Sequence, residues 1–266
     1  MSPAPVSSTF PRLSAALDAA ARPVAFWWRD DDAGSATPAL ERLFQVAGEA
    51  AAPLALAVIP ARAEASLADA VAAANAAGLP VAVAQHGYDH GNTAAAGRNV
   101  ELSDDADAAW LDGRMAEGWA HLSALFGPHL VAVMVPPWNR ADRGALARLD
   151  GLSFRAVSGL ATSPVDTELP RIDVDIDVMN WDTHTSRGLA AIDAQAADGV
   201  ARHLSAAADP VGPVGLMTHH LVHDAEVWEH VAAFVHLVSG HPKACWVSLD
   251  DALAAAIEPA QERVPA

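Results

Sequence analysis

The amino-acid sequence is poor in several residues that carry structural or binding roles. One cysteine, Cys245, excludes an internal disulfide and fits a reducing compartment, so we expect a cytoplasmic protein. Only 16 lysines and arginines stand against 33 aspartates and glutamates, and the formal net charge of −17 argues against nucleic-acid or anionic-membrane partners. No apolar run approaches the roughly 18 residues of a membrane span. Residues 1–22 also lack the basic start and apolar block of a secretory signal.

The sequence does contain short apolar runs that alternate with longer alanine-rich stretches. Hydrophobic residues make up 52% of the 266 positions, which is enough for one full core. The apolar runs predict eight strands, at residues 24–30, 54–60, 81–86, 130–136, 154–158, 172–179, 215–219 and 244–249. The stretches between them predict six helices, at residues 36–49, 63–77, 104–125, 141–149, 189–207 and 225–239.

This alternation predicts an α/β fold with a parallel sheet. Residues 54–59 and 130–135 are apolar throughout, which is typical of parallel strands covered on both faces. Periodicity alone leaves a closed barrel and an open doubly wound sheet as alternatives. The glycine-rich phosphate loops of common nucleotide-binding folds are absent from the sequence. We expect one domain over residues 21–258, an N-terminal extension at 1–20 and a C-terminal tail at 259–266.

Polar side chains collect where several predicted strands end. In parallel α/β folds, the carboxyl ends of the strands meet at one edge, and functional groups gather there. The first strand ends in the aspartates of residues 30–32, and the third ends in a segment that contains His86 and His90. A later strand ends in residues 136–140, and the seventh ends in His219 and His220. We therefore expect these segments to form one site.

Two of these segments have the residues of a metal site, although each alone has a simpler explanation. Adjacent carboxylates repel one another, so the aspartates need a cation or an arginine, unless they form a solvated turn that caps a helix. His86 and His90 could reach one ion if Gly87 lets the chain curl, but an isolated His-x-x-x-His is more often structural. Together, one aspartate and two neutral imidazoles form the ligand set of hydrolytic zinc or a similar divalent metal.

Taken in order, these motifs resemble those of the polysaccharide deacetylases, also called NodB-homology or carbohydrate esterase family 4 enzymes. The resemblance runs from about residue 24 to residue 251. Asp31-Asp32 stands at the aspartate pair of the family's Thr-Phe-Asp-Asp-Gly motif, and His86-Gly-Tyr-Asp-His90 matches His-Ser/Thr-x-x-His. The resemblance implies that Asp31 is the base and that Asp32, His86 and His90 hold a divalent metal. It implies zinc first, with cobalt, nickel or manganese as alternatives.

Two further motifs extend the resemblance. The Pro-Pro-Trp sequence ending at Trp138 stands where the family has Arg-x-Pro-Tyr. In the family, the last residue of this motif offers a backbone N–H to the oxyanion. The resemblance gives this role to Trp138, which Pro137 and Asn139 flank. The Leu-Met-Thr-His sequence ending at His219 resembles the closing Leu-x-His motif, which carries the catalytic acid, and His220 is the alternative acid. By resemblance the fold is a distorted (β/α) barrel of about seven parallel strands.

The sequence departs from the family pattern at charged positions. The Thr-Phe before the aspartate pair is Arg29-Asp30 here. The third motif lacks its arginine, which in the family braces the catalytic aspartate, and Arg29 and Arg140 are the candidates to replace it. These departures argue against a large cell-wall or chitin substrate and favour a small molecule or a saccharide.

The alternating run at residues 172–178 places Asp173, Asp175 and Asp177 on one strand face. If that face lines a barrel, Asp175 or Asp177 could orient His219 and keep it protonated. If the face meets water, the run is only the polar side of an edge strand. Trp181, near the end of this strand, is a candidate for a stacking platform or for ordinary packing.

Three hypotheses of function follow from the sequence. The first is a metal-dependent hydrolase that removes an acyl group, an N-acetyl group above all, from an amide of a sugar or a related small molecule. The second acts on a non-sugar C–N bond, such as a cyclic amide or ureide, either with or without a metal. The third is a catalytically inactive binding domain on the same scaffold. Nothing in the sequence predicts an oligomeric state.

Overall fold

The fold is that of a computed structural model, which describes residues 9–205 and 212–258. Its centre is an eight-stranded sheet in which every pairing is parallel. Its strands are β1 (Val24–Ala33), β2 (Leu54–Val58), β3 (Val81–His86), β4 (Leu130–Val135), β5 (Ala156–Val157), β6 (Ile176–Asp177), β9 (Val214–Thr218) and β10 (Ala244–Trp246). Two short strands outside this sheet, β7 (Met179–Asn180) and β8 (Thr185–Ser186), pair antiparallel.

The sheet curls into an irregular barrel. Its strands follow the order β5-β4-β3-β2-β1-β9-β6, and β10 pairs with the start of β1. Bridges from Val157 to Arg171 and from Leu160 to Val174 join the two ends of this order. These pairings confirm the predicted distorted (β/α) barrel of about seven parallel strands. Of the predicted strand at 172–179, only β6 belongs to the main sheet as a regular strand, because residues 170–174 bond to Val157 of β5 and to the loop after it, and Met179 lies in β7.

Helices pack against the sheet, most of them on its outer face. They are α1 (Pro11–Ala19), α2 (Pro38–Glu49), α3 (Ala65–Ala76), α4 (Ala108–Phe126), α5 (Arg143–Ala147), α6 (Leu189–Leu204), α7 (Ala225–Gly240) and α8 (Leu249–Ile257). All six predicted helices are present, whereas α1 and α8 were not predicted. The predicted end of α6 at residues 206–207 and the predicted tail at 259–266 lie outside the described residues. Within the described ranges, no helix has the length and hydrophobicity needed to cross a bilayer.

The two faces of the sheet differ in side-chain size. Along β2 and β3, leucine and valine side chains point outward against the helices, while alanines point inward. The small alanines leave room inside the barrel for Trp27 and for Leu249 and Leu253 of α8. Because side chains alternate along a strand, this pattern fixes which residues at the strand ends face the inside.

Helix α1 lies in the segment 1–20 that the sequence assigns to an extension, and its apolar side is buried. Phe10, Leu13 and Leu17 belong to the main core. No side chain at the start of α1 caps it; instead the buried carboxylate of Asp193, in α6, accepts the N–H groups of Arg12 and Leu13 at 3.0 and 2.8 Å. Asp193 therefore serves as an N-cap supplied by another helix.

We expect Asp193→Ala to lower the free energy of unfolding by about 1–2 kcal/mol, because two N–H groups of α1 lose their acceptor. Urea unfolding measures this change. Asp198→Ala, at an exposed position of the same helix, is the matched control and should be within about 0.5 kcal/mol of the parent. Equal stability of the two variants would contradict the proposed cap.

Candidate active site

Alternation along β1 sends its three consecutive aspartates in different directions. Arg29 and Asp31 continue the inward series that begins at Trp27, while Asp30 continues the outward series. The pairing of β1 with β2 shifts register between Asp30 and Ala33, and Asp32 has a φ of 70°, a strained value for an aspartate. This irregularity turns Asp32 away from strict alternation and toward the end of β3.

Asp32, His86 and His90 form a cluster at the carboxyl ends of β1 and β3. The Nε2 atoms of His86 and His90 lie 3.3 and 3.6 Å from Asp32 Oδ1. One donor atom from each residue fits within a mutual distance of 4.8 Å. Asp32 Oδ1 is buried and accepts no hydrogen bond from the described residues. This orphaned oxygen beside two imidazole nitrogens fits a divalent cation.

The backbone around this cluster holds its donors in place. His86 Nδ1 lies 2.9 Å from the carbonyl oxygen of Val135, an arrangement that leaves Nε2 free for an ion. The His90 ring packs edge-on against Trp138 with 4.3 Å between centroids. Asp32, His90, Trp138 and Asn139 are four of the seven described non-glycine residues with positive φ. The concentration of backbone strain here is typical of a functional site.

Electrostatic interactions couple the three residues. Burial raises the pKa of Asp32, but the close approach and charge of His86 outweigh it and hold the pKa well below its usual range. Burial lowers the pKa of His86, yet Asp32 and Asp31 raise it overall. Burial and the neighbouring His86 lower the pKa of His90. One imidazole is thus drawn toward its charged form by the aspartates, while the other favours its neutral form.

Asp31 is held by a buried arginine of its own strand. Arg29 Nε lies 2.8 Å from Asp31 Oδ1, and Arg29 Nη2 lies 3.0 Å from Oδ2. The same guanidinium donates to Ser158 Oγ and to Asn139 Oδ1, each at 2.6 Å. Of the two candidates for the missing arginine, Arg29 therefore contacts Asp31, while Arg140 has no contact with it.

His219 follows β9 and faces Asp31. Its Nε2 lies 3.8 Å from Asp31 Oδ2, and its Nδ1 is buried without a partner among the described residues. The ring packs edge-on against Trp181 with 4.5 Å between centroids. The Trp181 indole in turn donates to Asp177 at 2.9 Å. The anchored ring of Trp181 thus packs against His219, where the sequence analysis expected Asp175 or Asp177.

The candidate orienting aspartates interact with arginines. Asp175 lies 2.6 Å from Arg202 and also accepts the Gly215 N–H. Asp177 lies 3.2 Å from Arg187. Neither aspartate forms a hydrogen bond or ion pair with His219 within the described part of the chain. Asp177 is therefore connected to His219 only through Trp181, and Asp175 has no such connection.

Asp30 and His220 form a separate buried pair behind the site. His220 Nδ1 lies 2.5 Å from Asp30 Oδ1, and Thr218 Oγ1 donates to Asp30 Oδ2 at 2.6 Å. Burial raises the pKa of Asp30, but the charge of His220 lowers it overall. Burial lowers the pKa of His220, but Asp30 raises it overall. His220, which the sequence analysis named as the alternative acid, therefore lies on the outer face of the sheet and compensates the charge of Asp30.

Glu101 supports the loop that carries the histidines. This buried carboxylate accepts the N–H groups of Tyr88 and Asp89 through Oε1, at 2.9 and 3.0 Å. A Cβ atom added to Gly87 would lie 2.0 Å from Glu101 Oε2 and 2.7 Å from Pro137 Cγ, and Gly87 has a φ of 56°. Glycine is required at this position because the carboxylate fills the space of a side chain. Burial raises the pKa of Glu101 to about 7, against the opposing hydrogen bonds.

Sequence reasoning did not identify every residue of the site. Ser158 and Met217 contact Arg29 although neither has a charge; Met217 lies in the variable position of the Leu-Met-Thr-His motif, and Ser158 lies in no motif. The sequence places Glu101, 15 positions beyond His86, among the residues that could shape the pocket, but it does not give its contact with Gly87. The role of Asp30 follows from strand alternation, which predicts that it faces away from Asp31.

The raised pKa of Glu101 predicts how stability depends on pH. The folded protein keeps the proton up to about pH 7, whereas an unfolded glutamate loses it near 4.5. The contribution of Glu101 to the free energy of unfolding should therefore fall by roughly 3 kcal/mol as the pH rises from 4.5 to 7. Glu101→Gln should remove this slope, as measured by urea unfolding in chelator. Glu229→Gln, at an exposed position, should keep it, and an unchanged slope in Glu101→Gln would refute the assignment.

Comparison with known proteins adds evidence on the fold alone. No protein-family model matches this chain, and no curated protein matches it. Solved structures do match. A protein assigned as a polysaccharide deacetylase from Mycobacterium smegmatis has 15% identity and a TM-score of 0.61 over 93% of this chain and 94% of its own.

Two further structures extend this similarity. A family 4 acetyl xylan esterase from Clostridium thermocellum, solved with a cobalt ion, has 12% identity and a TM-score of 0.56 over 86% of this chain and 90% of its own. A family 4 pseudoenzyme from Bacillus anthracis has 10% identity and a TM-score of 0.54 over 87% of this chain and 66% of its own. The resemblance found in the sequence motifs is thus confirmed at the level of structure: this chain has the fold of the polysaccharide deacetylases and family 4 carbohydrate esterases.

Proposed function

We propose that this chain is a metal-dependent hydrolase that removes an acyl group, chiefly N-acetyl, from an amide of a sugar or a related small molecule. The observation that carries the proposal is the juxtaposition of two units. One is the ligand cluster Asp32–His86–His90, and the other is Asp31, braced by Arg29 and 3.8 Å from His219. Structural similarity to a carbohydrate esterase solved with cobalt supports this reading.

Asp32, His86 and His90 would hold the cation. One carboxylate and two imidazoles suit zinc, and they also suit cobalt, nickel or manganese. When bound, a divalent ion supplies Lewis acidity to the substrate carbonyl and makes the attacking water easier to deprotonate. Val135 keeps His86 oriented for this role through its carbonyl oxygen, and Trp138 packs against the ring of His90.

The chain's own acid–base groups complete the reaction. Asp31 accepts a proton from the water that attacks the acyl carbon, and Arg29 fixes the orientation of this carboxylate. The backbone N–H of Trp138, flanked by Pro137 and Asn139, faces the developing oxyanion. As the C–N bond breaks, His219 donates a proton to the leaving nitrogen. The products are acetate and the free amine.

The intact ligand cluster and the buried Arg29–Asp31 pair favour catalysis over the inactive binding domain. An assay of acetate release from N-acetylated sugars, with and without chelator, tests the proposal. Parallel assays of cyclic amides and ureides test the rival C–N bond chemistry. Turnover of cyclic amides without turnover of N-acetylated sugars, undiminished by chelator, would establish the hypothesis of a hydrolase of non-sugar C–N bonds. Ligand binding without turnover under any divalent metal would establish the inactive domain.

We expect His90→Ala and Asp32→Asn to lose stoichiometric zinc and to reduce acetate release by roughly three orders of magnitude. Zinc at 100 times its Kd should stabilise the parent by about 2.7 kcal/mol and these variants much less, which thermal unfolding measures. His236→Ala, at an exposed position of α7, is the control and should retain zinc and activity. Full zinc occupancy in His90→Ala would disprove the assigned ligand set.

Removing Arg29 should leave Asp31 as a buried, uncompensated charge. We expect Arg29→Met to lower the free energy of unfolding by about 3–5 kcal/mol and to abolish acetate release. The double variant Arg29→Met/Asp31→Asn should be more stable than Arg29→Met alone, because the uncompensated charge is gone. Purely additive effects in this double-mutant cycle would show that the two residues do not act as a pair.

A further inference from the structure

The side chain of Asn139 ties the turn after β4 to the inside of the barrel. Its Oδ1 accepts a hydrogen bond of 2.6 Å from Arg29 Nη2, and its Nδ2 lies 3.5 Å from the sulfur of Met217 in β9. Arg29 and Met217 are buried, and Asn139 is half-buried. Asn139 thus contacts the guanidinium that holds Asp31 and the strand that ends just before His219.

The same turn carries the proposed oxyanion donor. Trp138 directly precedes Asn139, and both residues have a φ of 55°, a costly conformation for residues other than glycine. The Asn139 N–H bonds to the Pro136 carbonyl at 2.9 Å, and the Arg140 N–H bonds to the Pro137 carbonyl at 3.2 Å. The Trp138 N–H has no hydrogen-bond partner among the described residues. Because a strained turn persists only where its surroundings hold it, this free N–H depends on side-chain contacts for its position.

Two side chains of the turn make such contacts. The ring of Trp138 packs against His90, and the carboxamide of Asn139 bonds to Arg29. Hydrolysis of an amide needs the base and the oxyanion donor at a fixed separation around one acyl carbon. Arg29 contacts the base Asp31, and Asn139 follows the donor directly in the chain. The hydrogen bond between Arg29 and Asn139 therefore joins the base to the donor.

We propose that Asn139 is a positioning residue for the hydrolysis. Through Arg29, its carboxamide sets the distance between the Asp31 carboxylate and the Trp138 N–H. The inference rests on the proposed function, which gives these two groups their roles. Both groups act on the transition state rather than on the bound substrate, so loss of the carboxamide should lower kcat and leave KM nearly unchanged.

Asn139→Gly tests this role, because glycine adopts a positive φ without strain but offers no acceptor to Arg29. The substrates are N-acetylglucosamine, N-acetylgalactosamine and N-acetylmannosamine, given to the zinc-loaded protein at pH 8. We expect kcat for acetate release to fall about 10- to 100-fold, with KM within about threefold of the parent. Asn139→Asp places an oxygen acceptor where Asn139 has one and should recover most of the lost kcat.

Ser153→Gly is the matched control. Ser153 is exposed, has a φ of 73° and lies in the loop before β5, and no side-chain hydrogen bond ties it to another described residue. The same change to glycine at a positive φ should therefore leave kcat and KM as in the parent. Thermal unfolding checks that each variant is folded. If Asn139→Gly does not fold, Asn139→Ser replaces it with the same expectation, since its hydroxyl is one bond shorter than the carboxamide.

Backbone hydrogen exchange gives a second readout that needs no turnover. The reporter is the Arg140 N–H, whose hydrogen bond to Pro137 closes the turn. After correction for intrinsic rates, it should exchange about 10-fold faster in Asn139→Gly than in the parent. Asn139→Asp and Ser153→Gly should exchange at the parent rate.

The inference is overturned if Asn139→Gly keeps the parent kcat, if its defect lies in KM, or if the Arg140 N–H exchanges at the parent rate. Equal defects in Asn139→Gly and Asn139→Asp overturn it as well. Acetate release that is insensitive to Asn139→Gly leaves the proposed function standing. If the parent releases no acetate, the proposed function fails and exchange alone decides: faster exchange confined to Asn139→Gly sustains the link through Arg29, and any other pattern refutes it.

Discussion

Placing three consecutive carboxylates at the end of one strand, two of them fully buried, is the constraint on which the site depends. Strand alternation separates them, so each aspartate needs its own compensation. Asp30 pairs with His220 behind the sheet, Asp31 pairs with Arg29 inside the barrel, and Asp32 turns through a bulge toward His86. One strand thereby supplies a structural ion pair, a braced carboxylate and a member of the ligand cluster.

The position of the bracing arginine has consequences beyond Asp31. In the motif that this sequence resembles, a threonine stands where Arg29 stands here. From the inner face of β1, Arg29 reaches across the barrel to Ser158 and Asn139, so one guanidinium joins β1 to the loops after β5 and β4. The turn that contains Asn139 is thereby tied to the strand that carries Asp31.

Sequence predicted most of the strands and helices, because buried parallel strands are apolar throughout and alternate with amphipathic helices. It also brought Asp32, His86 and His90 into one hypothesis, since parallel strands end at a common edge. It could not choose between Arg29 and Arg140, because that choice depends on distances across the barrel. It could not assign Glu101 either: the carboxylate acts by filling the space over Gly87, which requires knowledge of where the two loops meet.

The balance of charge explains why the ligand cluster is the place for a cation. Arg29 is a permanent positive partner for Asp31, whereas Asp30 and Asp32 face histidines, which bear a charge only when protonated. His86 and His90 surround Asp32 with nitrogen atoms that bear a charge only when protonated. With neutral imidazoles the cluster carries one net negative charge and presents three convergent donor atoms, one of them an orphaned buried oxygen. A divalent cation would compensate the negative charge and would also coordinate all three donor atoms. A proton on one imidazole would compensate the charge but would leave the other donor atoms without a partner.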